Sequence, residues 1–222
     1  DVSSSMSPDQ EELSRAIAAM VEAIRTDPVV DDLVQLSIIT FNHSANTVVP
    51  LSFPSDVTAP PIRASGGTNY GAAFHEYHRV YEADRARLKA QGTQVYRSCV
   101  FFLTDGEPND QDHLETFRSL FAYNAESNQG NRAFPYFVPF GFRGASEKVI
   151  RRLSYPDFGP TKGRWFLSWS NNVADVLRSM TDVIGRTVIS SGLSAGQGQP
   201  VIVPPSPAPG DRGQFGLAGD CP

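Results

Sequence analysis

Asp1, Ser3 and Ser5 alternate along the opening segment Asp1-Val2-Ser3-Ser4-Ser5-Met6, so one carboxylate and two hydroxyls can leave a short loop on one side. Two distant segments add the same kind of atom: Thr68 within Gly66-Gly67-Thr68-Asn69-Tyr70-Gly71, and Asp105 within Phe101-Phe102-Leu103-Thr104-Asp105-Gly106. Oxygens of this kind suit a hard divalent cation. Mg²⁺ takes six oxygens in near-octahedral geometry at about 2.0–2.1 Å and retains some waters. Ser3, Ser5 and Thr68 can supply neutral oxygens. Asp1 and Asp105, directly or through water, balance the ion's charge and leave no surplus anionic ligand, so the ion stays attractive to another carboxylate.

Such a site needs elements that bring three remote segments to one place. Leu13, Ile17, Met20, Val21 and Ile24 recur at spacings of three and four, which predicts a helix over 8–25 with Pro8 in its first turn. The β-rich runs 33–41 and 47–53 flank the polar turn Asn42-His43-Ser44-Ala45-Asn46 and read as an antiparallel pair, with Pro50 marking the second as an edge strand. A Pro-rich loop leads to a helix over 70–90. The uninterrupted apolar run Ser98-Cys99-Val100-Phe101-Phe102-Leu103-Thr104 suits a strand covered by helices on both faces. Beyond it a helix near 111–127, a strand near 134–140, a helix near 146–153, a strand near 164–168 and a helix near 171–188 complete the alternation.

That order predicts an α/β fold: a doubly wound, mostly parallel sheet with one antiparallel edge strand and helices on both faces. In such sheets ligands bind beyond the carboxyl ends of the strands, where Asp105, Thr68 and the Asp1 loop are all expected. The chain is 222 residues long, which fits one domain over 1–190 followed by a Gly/Pro-rich flexible tail or linker over 191–222. Val201-Ile202-Val203-Pro204-Pro205 is a short apolar island in that tail.

A net charge of −5 with scattered basic residues gives no electrostatic reason to expect nucleic acid. No apolar run is long enough to span a membrane. Cys99 and Cys221 form no disulfide framework or zinc-ligand pattern, which is compatible with a reducing, cytoplasmic compartment.

The series Asp1-x-Ser3-x-Ser5, Gly-Gly-Thr68 and Thr-Asp105-Gly resembles the metal-ion-dependent adhesion site of von Willebrand factor A (vWA) domains, over roughly 1–188. Leu36-Ser37-Ile38-Ile39-Thr40-Phe41, Ser65-Gly66-Gly67-Thr68 and Phe102-Leu103-Thr104-Asp105-Gly106-Glu107-Pro108 look most like bacterial TerY-like proteins of tellurium-resistance and stress systems. The resemblance implies that Ser3, Ser5 and Thr68 ligate Mg²⁺ (or Mn²⁺ or Ca²⁺). Asp1 and Asp105 would ligate it or hold its waters, and a protein partner's Asp or Glu would complete the shell. It points to a protein-binding module rather than an enzyme, with a kinase or phosphatase of the same system as a possible kind of partner. The family fold also places a central apolar strand immediately before the DxSxS loop, so about five to eight more apolar residues, a typical strand length, are expected upstream of Asp1.

Other readings of these residues stand beside this one. Ser5 or Ser7 could simply cap a helix, Gly66-Gly67 could be a flexible turn, and a purely structural domain without metal is a third class. A metal-dependent phosphohydrolase with Asp1 as nucleophile would need a second carboxylate two residues on, where the chain has Ser3. His75 and His78 share a helix face but lack a third zinc ligand in register. His43 is expected to be solvated, and Trp165 and Trp169 to pack at the core or rim. Strand alternation turns Thr104 away from the site. Glu107, Asn109, Asp110 and Asp112 could line its rim, while Asp110 and Asp112 read equally well as solvated residues at a helix start.

Overall fold

The computed structural model describes residues 1–159, 162–170, 172–197 and 213–217. A 3-10 turn over Ser4–Asp9 leads into α1 (Gln10–Arg25) and α2 (Pro28–Leu33). There follow β1 (Leu36–Phe41), β2 (Ala45–Ser52), α3 (Tyr70–Ala90), β3 (Cys99–Thr104), α4 (His113–Phe121), β4 (Tyr123–Asn124) and β5 (Gln129–Gly130). The chain continues with β6 (Tyr136–Phe142), α5 (Glu147–Leu153), β7 (Arg164–Ser168), α6 (Val173–Gly196) and β8 (Gly213–Leu217).

The apolar run of β3 serves two cores at once. Phe101 and Leu103 pack on the cluster containing Leu13, Ala16, Val176, Leu177 and Ile184 of α1 and α6. The alternate residues Val100 and Phe102 pack with Tyr70, Phe74, Phe117 and Phe121 of α3 and α4. Period-two alternation thus divides one hydrophobic strand between two helical layers. Phe102 stacks on Phe41 with ring centroids 4.9 Å apart and meets Tyr70 edge-on at 4.9 Å, which joins β1, β3 and α3 through aromatic faces.

β3, β6 and β7 are parallel neighbours, and β8 adds to β7 in the antiparallel sense. β8 lies in the Gly/Pro-rich stretch that composition reads as tail, and α6 runs past the expected 188 to Gly196. β1 and β2 form the predicted antiparallel pair, in which β2 is an edge strand. Among the described residues, β1 pairs only with β2, and β3 only with β6. Residues 1–2 lie between them: the Asp1 nitrogen donates to Leu103 O at 2.9 Å and Val2 N–H to Phe41 O at 2.8 Å. The opening loop is therefore fixed to the carboxyl ends of both strands.

Two further elements depart from the expected pattern. α2 occupies residues just ahead of the predicted strand because Asp27 accepts hydrogen bonds from Val29 N (3.1 Å) and Val30 N (3.3 Å), with Pro28 in the first turn. The helix expected near 111–127 stops at Phe121, and the small β4–β5 hairpin follows. Among the described residues no helix is long and apolar enough to cross a membrane.

Candidate metal centre

Because β3 and β6 run parallel and pair Thr104 with Gly141, the residues just after them, Asp105 and Arg143, emerge on the same edge of the sheet. The opening loop reaches that edge from between β1 and β3. Its position is held from the other side too: Ser65 N donates to Val2 O at 2.8 Å and Ser4 N to Gly66 O at 2.9 Å. The Gly-Gly-Thr segment and the Asp-x-Ser-x-Ser segment are thus laced together by main-chain hydrogen bonds.

Asp1, Ser3, Ser5 and Asp105 converge. Asp1 Oδ1 accepts from Ser3 N at 2.8 Å, Ser3 Oγ and Ser5 Oγ are 3.0 Å apart, and Ser5 Oγ donates to Asp105 Oδ1 at 2.7 Å. An octahedron with metal–oxygen distances of about 2.1 Å has adjacent oxygens about 3.0 Å apart. The contacts among Ser3, Ser5 and Asp105 are close to such edges. Ser3 and Asp105 are buried, whereas Ser5 faces solvent.

Thr68 is buried beside this group, its Oγ1 3.9 Å from where a Cβ on Gly106 would lie. Asn109 holds it in place: Thr68 N donates to Asn109 Oδ1 at 2.7 Å, and Asn109 N donates to Thr68 O at 2.7 Å. A Cβ at Gly67 would stand 2.7 Å from that same Asn109 Oδ1, so only glycine admits the clamp. Gly66 has φ +73, and the His43 ring lies over its open side while remaining exposed to solvent, as expected.

Thr104 differs from the expectation that it points away. Its hydroxyl donates to Asp1 Oδ2 at 2.7 Å. Strand alternation does turn it off the Asp105 direction, but the Asp1 carboxylate arrives from the neighbouring loop and meets it. Tyr70 OH lies 2.8 Å from Gly106 O and 3.1 Å from Thr104 Oγ1. Burial pushes the Tyr70 phenol well above its ordinary range, against the opposing effect of its Thr104 hydrogen bond, so it remains a donor. The chain Tyr70–Thr104–Asp1 anchors the carboxylate from below.

Asp110 is engaged at the start of a helix other than the one that follows it. Its carboxylate accepts from Tyr70 N (3.0 Å) and Gly71 N (2.8 Å) at the start of α3, which fastens the loop after β3 to the helix after Thr68. Arg143, which the sequence reading missed, places its guanidinium beside the site. It pairs with Asp9, lies 3.5 Å from Asp105 Oδ2 and donates to Ser5 O at 3.2 Å. The signal available in sequence was its place directly after an apolar strand parallel to the one that ends in Asp105.

Trp165 is buried as expected, with Leu167 in the same cluster, but Trp169 is 52% exposed just beyond the end of β7. Among the described residues no group of three or more His, Cys, Asp or Glu side chains could hold a metal ion, His75 and His78 included. The side chains that converge here are two carboxylates, Asp1 and Asp105, and two hydroxyls, Ser3 and Ser5.

Residues 1–107 match the family model of the von Willebrand factor type A domain. No curated protein matches the chain. Among solved structures the fold is similar to two structures of proximal thread matrix protein 1 from the mussel byssus, one of them with a zinc-occupied MIDAS motif. Each has a TM-score of 0.55 and 15% identity, over 85% of this chain and 46% of the mussel chain. The chain thus spans about half the length of that protein, and the likeness establishes a vWA-type α/β fold.

Proposed function

We propose that this vWA-type domain is a divalent-cation-dependent protein-binding module. Ser3, Ser5 and Thr68 would hold Mg²⁺ (or Mn²⁺ or Ca²⁺) with Asp1 and Asp105 as ligands or holders of its waters, and an Asp or Glu of a protein partner would complete the shell. The observation that carries this reading is the run of oxygen contacts from Ser3 through Ser5 to Asp105, at 3.0 and 2.7 Å, spaced like adjacent corners of an octahedron. When bound, the ion would supply a Lewis-acidic position open to an incoming carboxylate.

The surrounding residues do the positioning. Thr104 and Ser3 N engage both oxygens of Asp1, and Asn109 fixes the Thr68 backbone on both sides. With both oxygens so engaged and Ser3 two residues on, Asp1 lacks the neighbouring acid that a phosphohydrolase would use, which supports binding rather than turnover. The resemblance to TerY-like proteins directs a search for partners first to kinases and phosphatases of a cytoplasmic stress-response system.

The test is calorimetric titration of the folded chain with Mn²⁺ and Mg²⁺, followed by a pull-down in Mg²⁺ and in EDTA. Saturable binding that Asp105→Ala and Thr68→Ala both abolish, with an unchanged far-ultraviolet circular dichroism spectrum, is the expected result. Metal binding that survives both substitutions would overturn the assignment.

A further inference from the structure

Arg143 sits in an unusual place for a cation. It follows β6 directly and takes a left-handed backbone, φ +52, which non-glycine residues adopt rarely. The turn is held against the site by Gly144 N, which donates to Asp105 O at 3.0 Å. From there the guanidinium reaches two acids and a carbonyl: Nη1 lies 3.5 Å from Asp105 Oδ2 and donates to Ser5 O at 3.2 Å, while Nη2 pairs with Asp9. The Asp105 side chain has no exposure and that of Arg143 is about one-third exposed, so the guanidinium lies between Asp105 and solvent.

We propose that Arg143 is a tethered cation that competes with the divalent ion for Asp105 and thereby lowers the site's metal affinity. The inference rests on the metal reading of the site. A guanidinium cannot yield by losing its proton, so a dication arriving beside Asp105 meets a fixed positive charge within a few ångströms. Asp9 gives that charge a second anion to rest on. When an ion engages Asp105, Arg143 keeps its pair with Asp9, and the cost of displacing it is limited to the longer of its two ionic contacts. Arg143 therefore makes the metal affinity depend on Asp9, a residue outside the donor set.

Opposite effects from the two partners test this. Mn²⁺ affinity is measured by calorimetry on the wild-type chain and on Arg143→Gly, Arg143→Gln, Arg143→Lys and Asp9→Asn, with circular dichroism and thermal melts as folding controls. Glycine is at ease at φ +52, so the first variant removes charge and backbone strain together, and glutamine removes charge alone. The expected result is tighter Mn²⁺ binding by about tenfold in both neutral variants, the scale typical of residues that contact metal ligands. Affinity should stay near wild type in Arg143→Lys and weaken in Asp9→Asn, which leaves Arg143 wholly to Asp105. A role confined to stability would change the melts without separating these signs. Wild-type binding with unchanged or weaker affinity in Arg143→Gly and Arg143→Gln would overturn this inference alone. Absence of Mn²⁺ binding in wild type and neutral variants alike would overturn the metal reading and this inference with it.

Discussion

The Thr104 hydroxyl donates to Asp1 Oδ2 at 2.7 Å across a separation of 102 intervening residues, so the last residue of β3 orients the first carboxylate of the opening loop. Thr104 has no exposure, whereas Asp1 is partly exposed. Thr104→Val keeps the shape and removes the donor, which should lower stability by about 1–3 kcal/mol, the usual scale of a hydrogen bond to a charged group. Residues that orient metal ligands typically contribute about 10–100-fold to affinity, and a loss in that range is expected in Mn²⁺ titration. Thr104→Ser should restore most of both. If the serine variant behaves like valine, methyl packing rather than the hydroxyl is what matters.

Gly67 faces Asn109 so closely that a methyl group would stand 2.7 Å from Asn109 Oδ1, the atom that accepts from Thr68 N. Gly67→Ala should therefore push Asn109 away and release Thr68, at a cost of about 1–3 kcal/mol in overpacking. Metal affinity should fall while the helical and strand content persists. Asn109→Ala, which removes the clamp but leaves space, should reproduce the affinity loss. Unaltered Mn²⁺ binding in both variants would show that Thr68 needs no clamp.

What the sequence made legible follows from how local each signal is. α3 begins at Tyr70 and ends at Ala90 as the pattern predicts, since Asn69 supplies a cap to Ala72 N at 2.8 Å within its own turn. The alternating oxygens of Asp1, Ser3 and Ser5 were visible for the same reason. α2 was hidden because Val29, Val30 and Leu33 read equally well as the approach to a strand, and the Asp27 cap that decides the matter is a single side chain. Asp110 and Arg143 could not be placed by local signals at all. Asp110 serves a helix 40 residues away, and Arg143 meets Asp105 38 residues away only because β3 and β6 are parallel neighbours. Pairing of non-consecutive strands is a tertiary fact, and residue spacing carries little of it.

Glu76 offers a pH signature away from the metal site. Its carboxyl is pulled down to about 2, first by hydrogen bonds from Arg79 and then by the Thr47 hydroxyl at 2.6 Å, which ties α3 to β2. A carboxyl whose folded pKa is depressed contributes stability above its unfolded value, near 4.5, and loses it as pH falls toward about 2. Arg79 is largely exposed, so water and salt screen the pair and the contribution at neutral pH should be about 1 kcal/mol or less. Wild type should thus be more stable than Glu76→Gln at pH 6–7, with the gap closing between about pH 4.5 and 2. A gap that is constant across this interval would mean that the hydrogen-bond geometry, and not the charge, is what Glu76 contributes.

Metal removal should be felt by the whole fold, because the proposed donors are distant in sequence and meet only in the native state. Ser5 and Asp105 are separated by 100 residues, and an unfolded chain has no reason to hold them 2.7 Å apart. An ion that binds only the folded form at a hundred times its dissociation constant adds about 2.7 kcal/mol of stability. For a chain of this size each kcal/mol moves the midpoint by about 2–4 °C, so Mn²⁺ or Mg²⁺ at that excess should raise Tm by about 5–10 °C over EDTA. Asp105→Ala should melt at the same temperature in both buffers, and Arg143→Gly should reach its plateau at lower metal concentration than wild type. A wild-type Tm identical in EDTA and in saturating metal would mean that the oxygen cluster stabilises itself by hydrogen bonding alone. In that case the spacing of Ser3, Ser5 and Asp105 would be a property of the loop itself rather than preparation for an ion.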